Sequence, residues 1–278
     1  MRVGNVQCFV LGDGEWRIDG GAIFGVVPKV LWEEFLPPDE LNRIPMALNC
    51  LLIISEGKRI LVDTGFGPKL RPAEVEILAL RRSDGHLLNS LQRHGYAASD
   101  IDVVINTHLH SDHCGWNTVL QAGVPVPAFP NAQYWIQRLE WSDARYPNER
   151  TRRSYLAENF SSLQEAGQLR LLYGDTRVTG EVRCVVTRGH TRGHQSVIIE
   201  SAGQTAVFLG DLAARSVHLE RLNWTTAFDT EPLETLETKR AMRNSVLERQ
   251  ALLFFGHDVC MPAGYLSQVG DSFRVRAS

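Results

Sequence analysis

The sequence has no excess of positive charge, because 29 lysine and arginine side chains are set against 32 aspartate and glutamate side chains, for a net charge of −3. A basic surface attracts nucleic acid and anionic membranes, so this balance argues against both kinds of partner. Cysteine is also sparse: the five cysteines are scattered and include no C-x-x-C pair. An odd, unpaired set of this kind predicts reduced thiols.

Long hydrophobic runs are missing as well. The apolar stretches at 103–105 and 251–255 are far shorter than the roughly 18 residues that a membrane-spanning helix needs. Near the N-terminus, Asp13 and Glu15 interrupt the only candidate for the apolar core of a secretory signal. These absences predict a cytoplasmic protein.

The composition that remains is typical of a globular protein with a large core, with 44% hydrophobic and 22% charged residues. No internal repeat or Ser/Gly-rich linker divides the chain, so we expect one domain over residues 1–278. Apolar runs at 50–54 and 59–63, joined by a Glu-Gly turn, predict a β-hairpin. Further strands are predicted at 102–106, 132–136, 181–187, 196–200, 206–209 and 251–255, and helices at 86–94, within 148–165 and at 233–248. This order favours an α/β or α+β fold with a sandwich core and outer helices.

The most informative segment is Thr107-His-Leu-His-Ser-Asp-His-Cys-Gly115, which directly follows a predicted buried strand. It brings together four potential metal ligands: His108, His110, Asp112 and His113. His108 and His110 are two residues apart, so on an extended backbone their side chains point to the same side. Burying four such groups without a metal would leave them uncompensated. The segment therefore predicts a metal centre that can hold two ions.

Three later segments have titratable groups just past the end of a predicted strand. They are Arg188-Gly-His-Thr-Arg-Gly-His194, Gly210-Asp211 and Gly256-His257-Asp258. Strand ends from different parts of a sandwich can converge at one edge, where loops hold functional groups on a rigid scaffold. We therefore expect these groups to complete the same site.

Together with Leu61-Val-Asp-Thr-Gly65, these motifs resemble the metallo-β-lactamase superfamily, whose pattern is H-x-H-x-D-H followed by a histidine, a bridging aspartate and a last histidine. The resemblance spans roughly residues 48–258 and implies an αββα sandwich of two mixed β-sheets with helices on the outer faces. It assigns His108, His110 and His190 to a first metal ion and Asp112, His113 and His257 to a second, with Asp211 bridging both. It also implies that Asp63 orients ligand imidazoles, and that His194 packs beside or supports the site without binding metal.

Five imidazoles and two carboxylates without a thiolate suit two divalent ions. Zinc is the default, and Mn²⁺, Fe²⁺ and Co²⁺ also fit this donor set. We hypothesise that a water bridging the ions, with a pKa near 7, supplies a hydroxide that attacks a carbonyl carbon. Asp112 would steer this hydroxide and relay its proton to the leaving oxygen. The sequence thus predicts a metal-dependent hydrolase of ester bonds.

The segment 19–32, Asn42-Arg-Ile44, the run GHTRGHQS and the pair Asp211-Leu212 look like the quorum-quenching N-acyl-homoserine lactonase branch and its methyl parathion hydrolase relatives. This resemblance implies a lactonase that opens N-acyl-homoserine lactones. Two alternatives stay open: a phosphotriesterase or arylesterase of the methyl parathion hydrolase type, and a non-hydrolytic iron-binding redox relative. One position departs from the pattern, because some lactonases of this group have a tyrosine where this chain has Ala214.

Residues 1–47 precede the first predicted hairpin and are expected to act as a pocket or dimer-contact extension. Within them, Phe24 and Trp32 are candidates for a pocket wall that contacts an acyl chain, with a core or dimer contact as the equal alternative. The expected partner is a small-molecule ester or lactone, and a homodimer is compatible with the sequence.

Overall fold

Two seven-stranded β-sheets form the body of the computed structural model, which describes residues 1–278. The strands, in chain order, are β1 (Arg2–Val3), β2 (Val6–Asp19), β3 (Arg43–Ser55), β4 (Lys58–Val62), β5 (Val103–Ile105), β6 (Thr118–Gln121), β7 (Val124–Pro127), β8 (Gln133–Gln137), β9 (Leu169–Leu172), β10 (Thr176–Arg177), β11 (Val182–Val186), β12 (Gln195–Ser201), β13 (Gln204–Phe208), β14 (Leu252–Phe254), β15 (Ala263–Val269) and β16 (Ser272–Ala277).

The helices are shorter, with one exception near the C-terminus. They are α1 (Gly20–Phe24), α2 (Lys29–Trp32), α3 (Pro72–Ile77), α4 (Leu87–Arg93), α5 (Ser111–Cys114), α6 (Arg138–Arg145), α7 (Ser162–Glu165), α8 (Ser216–Glu220) and α9 (Pro232–Glu248). Single 3₁₀ turns lie at Ala98–Asp100, Gly115–Asn117, Ala157–Asn159 and Gly210–Ala213. None of these helices combines the length and the hydropathy that crossing a membrane requires.

Both sheets are mixed. The first has the order β1-β2-β3-β4-β5-β8-β9, and β4, β5, β8 and β9 run parallel to one another. The second has the order β10 to β16, in which only the β13–β14 pair is parallel. The strands β6 and β7 form a separate hairpin.

Alternate residues of the central strands face two different cores, as the side-chain period of a strand requires. In β3, Leu51 and Ile53 point between the sheets, where they join Phe208 and Phe254 of the second sheet. The neighbouring side chains of β3 point the other way, into a core shared with α4 and α6. The second sheet packs its outer face against α9. The layers therefore run helix, sheet, sheet, helix, and the predicted αββα sandwich is confirmed.

The first predicted hairpin is confirmed as β3 and β4. Its two turn residues, Glu56 and Gly57, have φ values of 50° and 75°. A two-residue turn with both φ values positive matches the right-handed twist of the strands that it connects. The long C-terminal helix is also confirmed, and Pro232 is its first residue, where a missing N–H costs nothing.

The helix predicted within 148–165 is wrong. Asn148 uses its side-chain oxygen to accept hydrogen bonds from the backbone N–H groups of Arg150 and Thr151, which makes a turn. The rest of the segment has only one 3₁₀ turn and the short α7. The helix of this region lies earlier, at α6, and ends before Pro147.

The N-terminal residues 1–47 include the strands β1 and β2 and the start of β3, which belong to the first sheet. Strand β2 pairs with β3 along most of its length, with one irregularity between Gly12 and Glu15. Only α1, α2 and the following loop lie outside the sheet.

The carboxyl ends of the parallel pairs β4–β5 and β13–β14 lead into the segments that the sequence singled out. Asp63 follows β4, Thr107 follows β5 after one residue, Asp211 follows β13 and His257 follows β14. The two sheets thus deliver these residues to one edge of the sandwich.

Candidate metal centre

The loop 107–115, called the ligand loop below, is held from behind by a buried carboxylate. Asp63 accepts hydrogen bonds from the backbone N–H of Thr107 at 2.7 Å and from its hydroxyl at 2.8 Å. The same carboxylate lies 2.9 Å from Nδ1 of His113. Asp63 has a φ of 57°, a conformation that aspartate tolerates better than most residues. It therefore fixes both ends of the motif, and it orients an imidazole as the sequence predicted.

The structure brings the predicted ligand side chains into three groups that share members. Within each group, the potential metal-binding atoms lie within 4.8 Å of one another. The groups are His108, His110 and His190; His108, His113 and Asp211; and Asp112, His113 and His257. These buried histidine and aspartate clusters are consistent with a dinuclear metal site.

Asp211 lies between the two outer groups. Its Oδ1 is 3.4 Å from Nε2 of His113 and 3.3 Å from Nε2 of His257. Its Oδ2 is 3.4 Å from Nε2 of His190 and 4.0 Å from Nε2 of His108. One carboxylate thus presents one oxygen to each group.

Most imidazoles of the site contact protein through Nδ1, which leaves Nε2 directed inward. His257 has Nδ1 2.7 Å from the carbonyl oxygen of Ala47, and His190 has Nδ1 2.9 Å from Asp229. The proton on Nδ1 leaves an Nε2 lone pair facing the centre, which is the tautomer that a metal requires. His110 is the exception, because its Nδ1 lies 3.1 Å from Nε2 of His190.

The charges of the site are strongly coupled. Burial would raise the pKa of Asp211, but His113, His257 and His190 hold it well below its usual value. Burial would lower the pKa of His113, but the carboxylates of Asp211, Asp112 and Asp63 raise it well above the ordinary range. Metal ions compete with protons for such imidazoles, so metal binding here would release protons.

Within the three clusters, two buried atoms lack a hydrogen-bond partner: Nε2 of His108 and Oδ1 of Asp211. An unpaired buried polar atom is costly in a folded protein. Both atoms face the clusters, and each has a lone pair that can bind a divalent ion. The residues present therefore fit a metal centre.

His194 stands beside the clusters. Its Nε2 accepts the backbone N–H of Asp211 at 3.0 Å, and its Nδ1 is 2.8 Å from the hydroxyl of Thr187. Burial lowers its pKa to about 3, so it stays neutral. Gly210 makes this approach possible, because its φ is 56° and an added Cβ would lie 2.7 Å from the His194 ring.

Sequence reasoning missed the side chains that brace these loops. Glu140, which is 1% exposed, accepts hydrogen bonds from the Leu109 backbone, the Tyr155 hydroxyl and the Thr191 hydroxyl. It thus ties the ligand loop to the loop that contains His190. No sequence pattern marks this role, since an isolated glutamate in a polar helix normally faces solvent.

A second unpredicted brace lies below His257. Arg215 is buried, donates to the carbonyl oxygens of Pro45 and His257, and lies 3.4 Å from Asp258. Asp258 in turn accepts hydrogen bonds from Ser216. The sequence places Asp258 beside His257, but Arg215, the buried partner of Asp258, lies 43 residues away in the chain.

A cavity of about 480 Å³ opens onto the clusters. At its floor lie His110, Asp112, His190, Asp211 and His257. Its apolar wall comes mainly from the N-terminal strand and from the segment around α3, and includes Trp16, Ile18, Met46, Phe66, Leu70 and Leu78. The cavity can therefore hold a molecule with a polar end at the clusters and an apolar remainder.

Phe24 and Trp32 do not line this cavity. Each is 1% exposed, and their rings stack with centroids 5.1 Å apart. Trp32 also lies against Gly20, where an added Cβ would be 2.4 Å from its ring. They form a small core behind the wall, and it is Ile23 that reaches the cavity from this segment.

Ala214 does line the cavity, next to the clusters. No tyrosine is among the lining residues, and the hydroxyl groups there belong to Ser111, Ser154 and Thr226. The departure noted in the sequence therefore falls at the cavity surface.

Comparison with known proteins agrees with this geometry. The family model described as the metallo-beta-lactamase superfamily matches residues 43–257. An N-acyl homoserine lactonase from a Bacillus species is 30% identical over 234 residues, which cover 81% of this chain and 85% of the relative.

Two solved structures share the fold over the whole chain. A probable metal-dependent hydrolase from Staphylococcus aureus superposes with a TM-score of 0.91 at 29% identity, over 100% of this chain and 99% of the other. The dizinc quorum-quenching lactonase AidC, in complex with the product N-hexanoyl-L-homoserine, superposes with a TM-score of 0.81 at 22% identity, over 100% and 96%.

Proposed function

Because this chain belongs to the metallo-β-lactamase superfamily and has a histidine-rich site, we propose that it is a dinuclear metal-dependent hydrolase that opens N-acyl-homoserine lactones. The observation that carries this proposal is the juxtaposition of the clusters with the apolar cavity wall. A lactone ring with an acyl tail has the matching polarity, since its ester group is polar and its tail is apolar.

We assign His108, His110 and His190 to one ion and Asp112, His113 and His257 to the other, with Asp211 shared. Zinc is the first choice for this donor set, although Mn²⁺, Fe²⁺ and Co²⁺ also suit it. The two oxygens of Asp211, which face different groups, support the bridging role. The two unpaired buried atoms of the site support the same assignment.

When bound, two divalent ions would polarise the ester carbonyl and activate water as the nucleophile. The chain's own contribution begins with Asp112, whose side chain is 17% exposed and whose Oδ2 lies 3.4 Å from Nε2 of His257. From this position Asp112 can hold the proton of the attacking water and pass it to the leaving oxygen. Without metal, the surrounding histidines keep the pKa of Asp211 low, so its carboxylate is an anion that an ion can bind.

The apolar wall has the complementary task of placing the substrate. Trp16 and Phe66 pack edge to face with their ring centroids 5.0 Å apart, which gives the wall a rigid surface. An acyl tail against these rings excludes water and orients the ring at the floor of the cavity. The Bacillus relative and AidC, both lactonases by name, support this choice of substrate.

A phosphotriesterase or arylesterase of the methyl parathion hydrolase type is the second candidate. The absence of a tyrosine from the cavity favours it, because Ala214 offers no hydroxyl to a lactone carbonyl. A substrate whose reacting group needs no hydroxyl donor would lose no contact because of the alanine at position 214.

The deciding experiment measures proton release after a long-chain N-acyl-homoserine lactone is added to zinc-loaded protein, with Asp112→Asn as the blank. We expect a metal-dependent kcat/KM above about 10⁴ M⁻¹s⁻¹, the low end for ordinary enzymes. Methyl parathion and an aryl ester are assayed in parallel. A lactone rate equal to the blank, together with fast cleavage of the phosphotriester, would replace the first proposal by the second.

A further inference from the structure

The loop 221–231 between α8 and α9, called the wall loop below, contains a buried carboxylate that the sequence did not single out. Asp229 is 3% exposed. Its Oδ1 lies 2.9 Å from Nδ1 of His190 and accepts the hydroxyl of Thr226 at 2.8 Å. One oxygen of Asp229 thus contacts both the hydroxyl of Thr226 and the ring of a candidate ligand.

This contact decides the state of the His190 ring. Because a carboxylate can only accept, the proton of the neutral ring must sit on Nδ1, and Nε2 keeps its lone pair. Nε2 faces Oδ2 of Asp211 at 3.4 Å, in the centre of the site.

The arrangement repeats the one at the other cluster. Asp63 lies 2.9 Å from Nδ1 of His113, as Asp229 lies 2.9 Å from Nδ1 of His190. The remaining inward-facing imidazoles rely on uncharged partners, a carbonyl for His257 and a hydroxyl for His108. Each outer cluster therefore has one imidazole backed by an aspartate.

The wall loop is tied to the His190 loop along its backbone. The N–H of Thr230 donates to the carbonyl oxygen of His190 at 3.0 Å, and the N–H of Glu231 donates to that of Gly189 at 2.9 Å. From behind, the buried ammonium of Lys239 donates to the carbonyl oxygen of Trp224 at 2.6 Å. The same loop contributes Phe228 and Thr226 to the cavity surface.

We propose that Asp229 is a positioning residue that fixes the tautomer and orientation of His190 and so sets the metal affinity of the cluster His108, His110 and His190. The inference rests on the proposed dinuclear site. It extends that site by assigning one supporting aspartate to each metal position, Asp229 to the first and Asp63 to the second.

The test compares Asp229→Asn with Asp63→Asn and the wild type. Zn²⁺ and Co²⁺ affinities are measured by competition with a chromophoric chelator, and Co²⁺ absorption spectra are recorded for the one-ion and two-ion forms. We expect Asp229→Asn to weaken one of the two ions by about 10- to 100-fold, as loss of a carboxylate behind a ligand histidine does. Asp63→Asn should weaken the ion of the other cluster and also disturb the ligand loop, because Asp63 holds Thr107 as well as His113, and it should give a different change in the cobalt spectrum.

Phe228→Ala is the matched control on the wall loop. It alters the cavity wall without touching Asp229, so it should change KM for substrate and leave both metal affinities at the wild-type value. Thermal unfolding of each metal-free variant shows whether it is folded. Thr226→Val removes only the hydroxyl donor to Asp229, so it should lower the affinity of the same ion as Asp229→Asn, but by less.

The outcomes separate the inference from its premise. Wild-type protein that binds fewer than two ions would overturn the dinuclear proposal and this assignment with it. Wild-type protein that binds two ions, beside a folded Asp229→Asn with unchanged affinities, would overturn the role of Asp229 alone. Equal weakening of both ions by Asp229→Asn would also contradict it, because the assignment predicts an effect at one position.

Discussion

In the first sheet a single nine-residue loop supplies four of the seven ligand-type side chains, whereas in the second sheet three loops supply one each. The first arrangement is local: residues 108 to 113 are neighbours in sequence, and one carboxylate, Asp63, fixes their backbone. The second is distributed, since His190, Asp211 and His257 meet only when three strands have packed. The ligand loop is called the first, local half of the site below, and His190, Asp211 and His257 the second, distributed half. The local half depends on few contacts, whereas the distributed half needs supporting side chains from elsewhere in the chain.

The buried side chains that support the two halves of the site differ accordingly. Behind the ligand loop lies Asp63, which follows the neighbouring strand β4 of the same sheet. Behind the three loops of the second sheet lie Asp229 and the buried pair Arg215–Asp258. Damage to the first half should therefore appear mainly as lost metal and lost chemistry, and damage to the supports of the second half as lost stability as well.

The largest effect is expected from His110→Ala in the ligand loop. It removes a donor at the floor of the cavity, so kcat/KM for the best substrate should fall by about ten-thousandfold or more. The thermal midpoint of the metal-free protein should stay near the wild-type value. A His110→Ala enzyme with activity close to the wild type would contradict the role of the ligand loop in this comparison.

The next effect is expected from Arg215→Met in the second half. The change leaves the Asp258 carboxylate buried without its cation, which costs about 3–5 kcal/mol in comparable cases. Urea unfolding of the metal-free protein measures this free energy. The double variant Arg215→Met with Asp258→Asn should recover part of the loss, because the uncompensated charge is then removed as well.

A smaller effect is expected from pH, through His218 in the second half. Burial, assisted by the charge of Lys239, lowers its pKa to about 4, below the value of about 6.5 in the unfolded chain. The unfolded state therefore binds the proton first, and stability is lost as pH falls from about 6.5 towards 4, by at most about 1.4 kcal/mol per pH unit for this group. Unfolding of the metal-free protein at pH 7 and pH 5 should show a smaller difference for His218→Gln than for the wild type.

The smallest effect is expected from Arg192→Ala, although this residue lies two positions after His190. Its guanidinium is about half exposed and pairs with Asp143 at the surface. Exposed pairs of this kind contribute about 1 kcal/mol or less. Metal affinity and kcat should match the wild type, and a large loss of either would show that the distributed half is more sensitive than its buried braces suggest.

The same division explains what the sequence could predict. The hairpin of β3 and β4 and the helix α9 follow from local patterns, and so does the ligand loop, whose histidine spacing is visible in six residues. Their positions after predicted strands indicated three further segments, the resemblance to a known family assigned His190, Asp211 and His257 within them, and the structure brings these residues to the ligand loop. No local pattern could have paired them.

Other features depend on contacts between distant residues, and the sequence analysis missed them. Asp229 lies among polar loop residues and acquires a role only beside His190. The predicted helix within 148–165 failed because one Asn148 side chain made a turn that periodicity does not detect. Phe24 and Trp32 were recognised as apolar, but whether such residues face a cavity or a core depends on how the segment folds back.

Most of the apolar cavity wall comes before the ligands along the chain. It uses mainly β2 and the segment around α3, while every candidate ligand lies at residue 108 or later. Substitutions at Ile18, Leu70 or Leu78 can therefore reshape the space for substrate without changing a ligand residue. In evolutionary terms, this chain can change what it accepts while it keeps the chemistry that it performs.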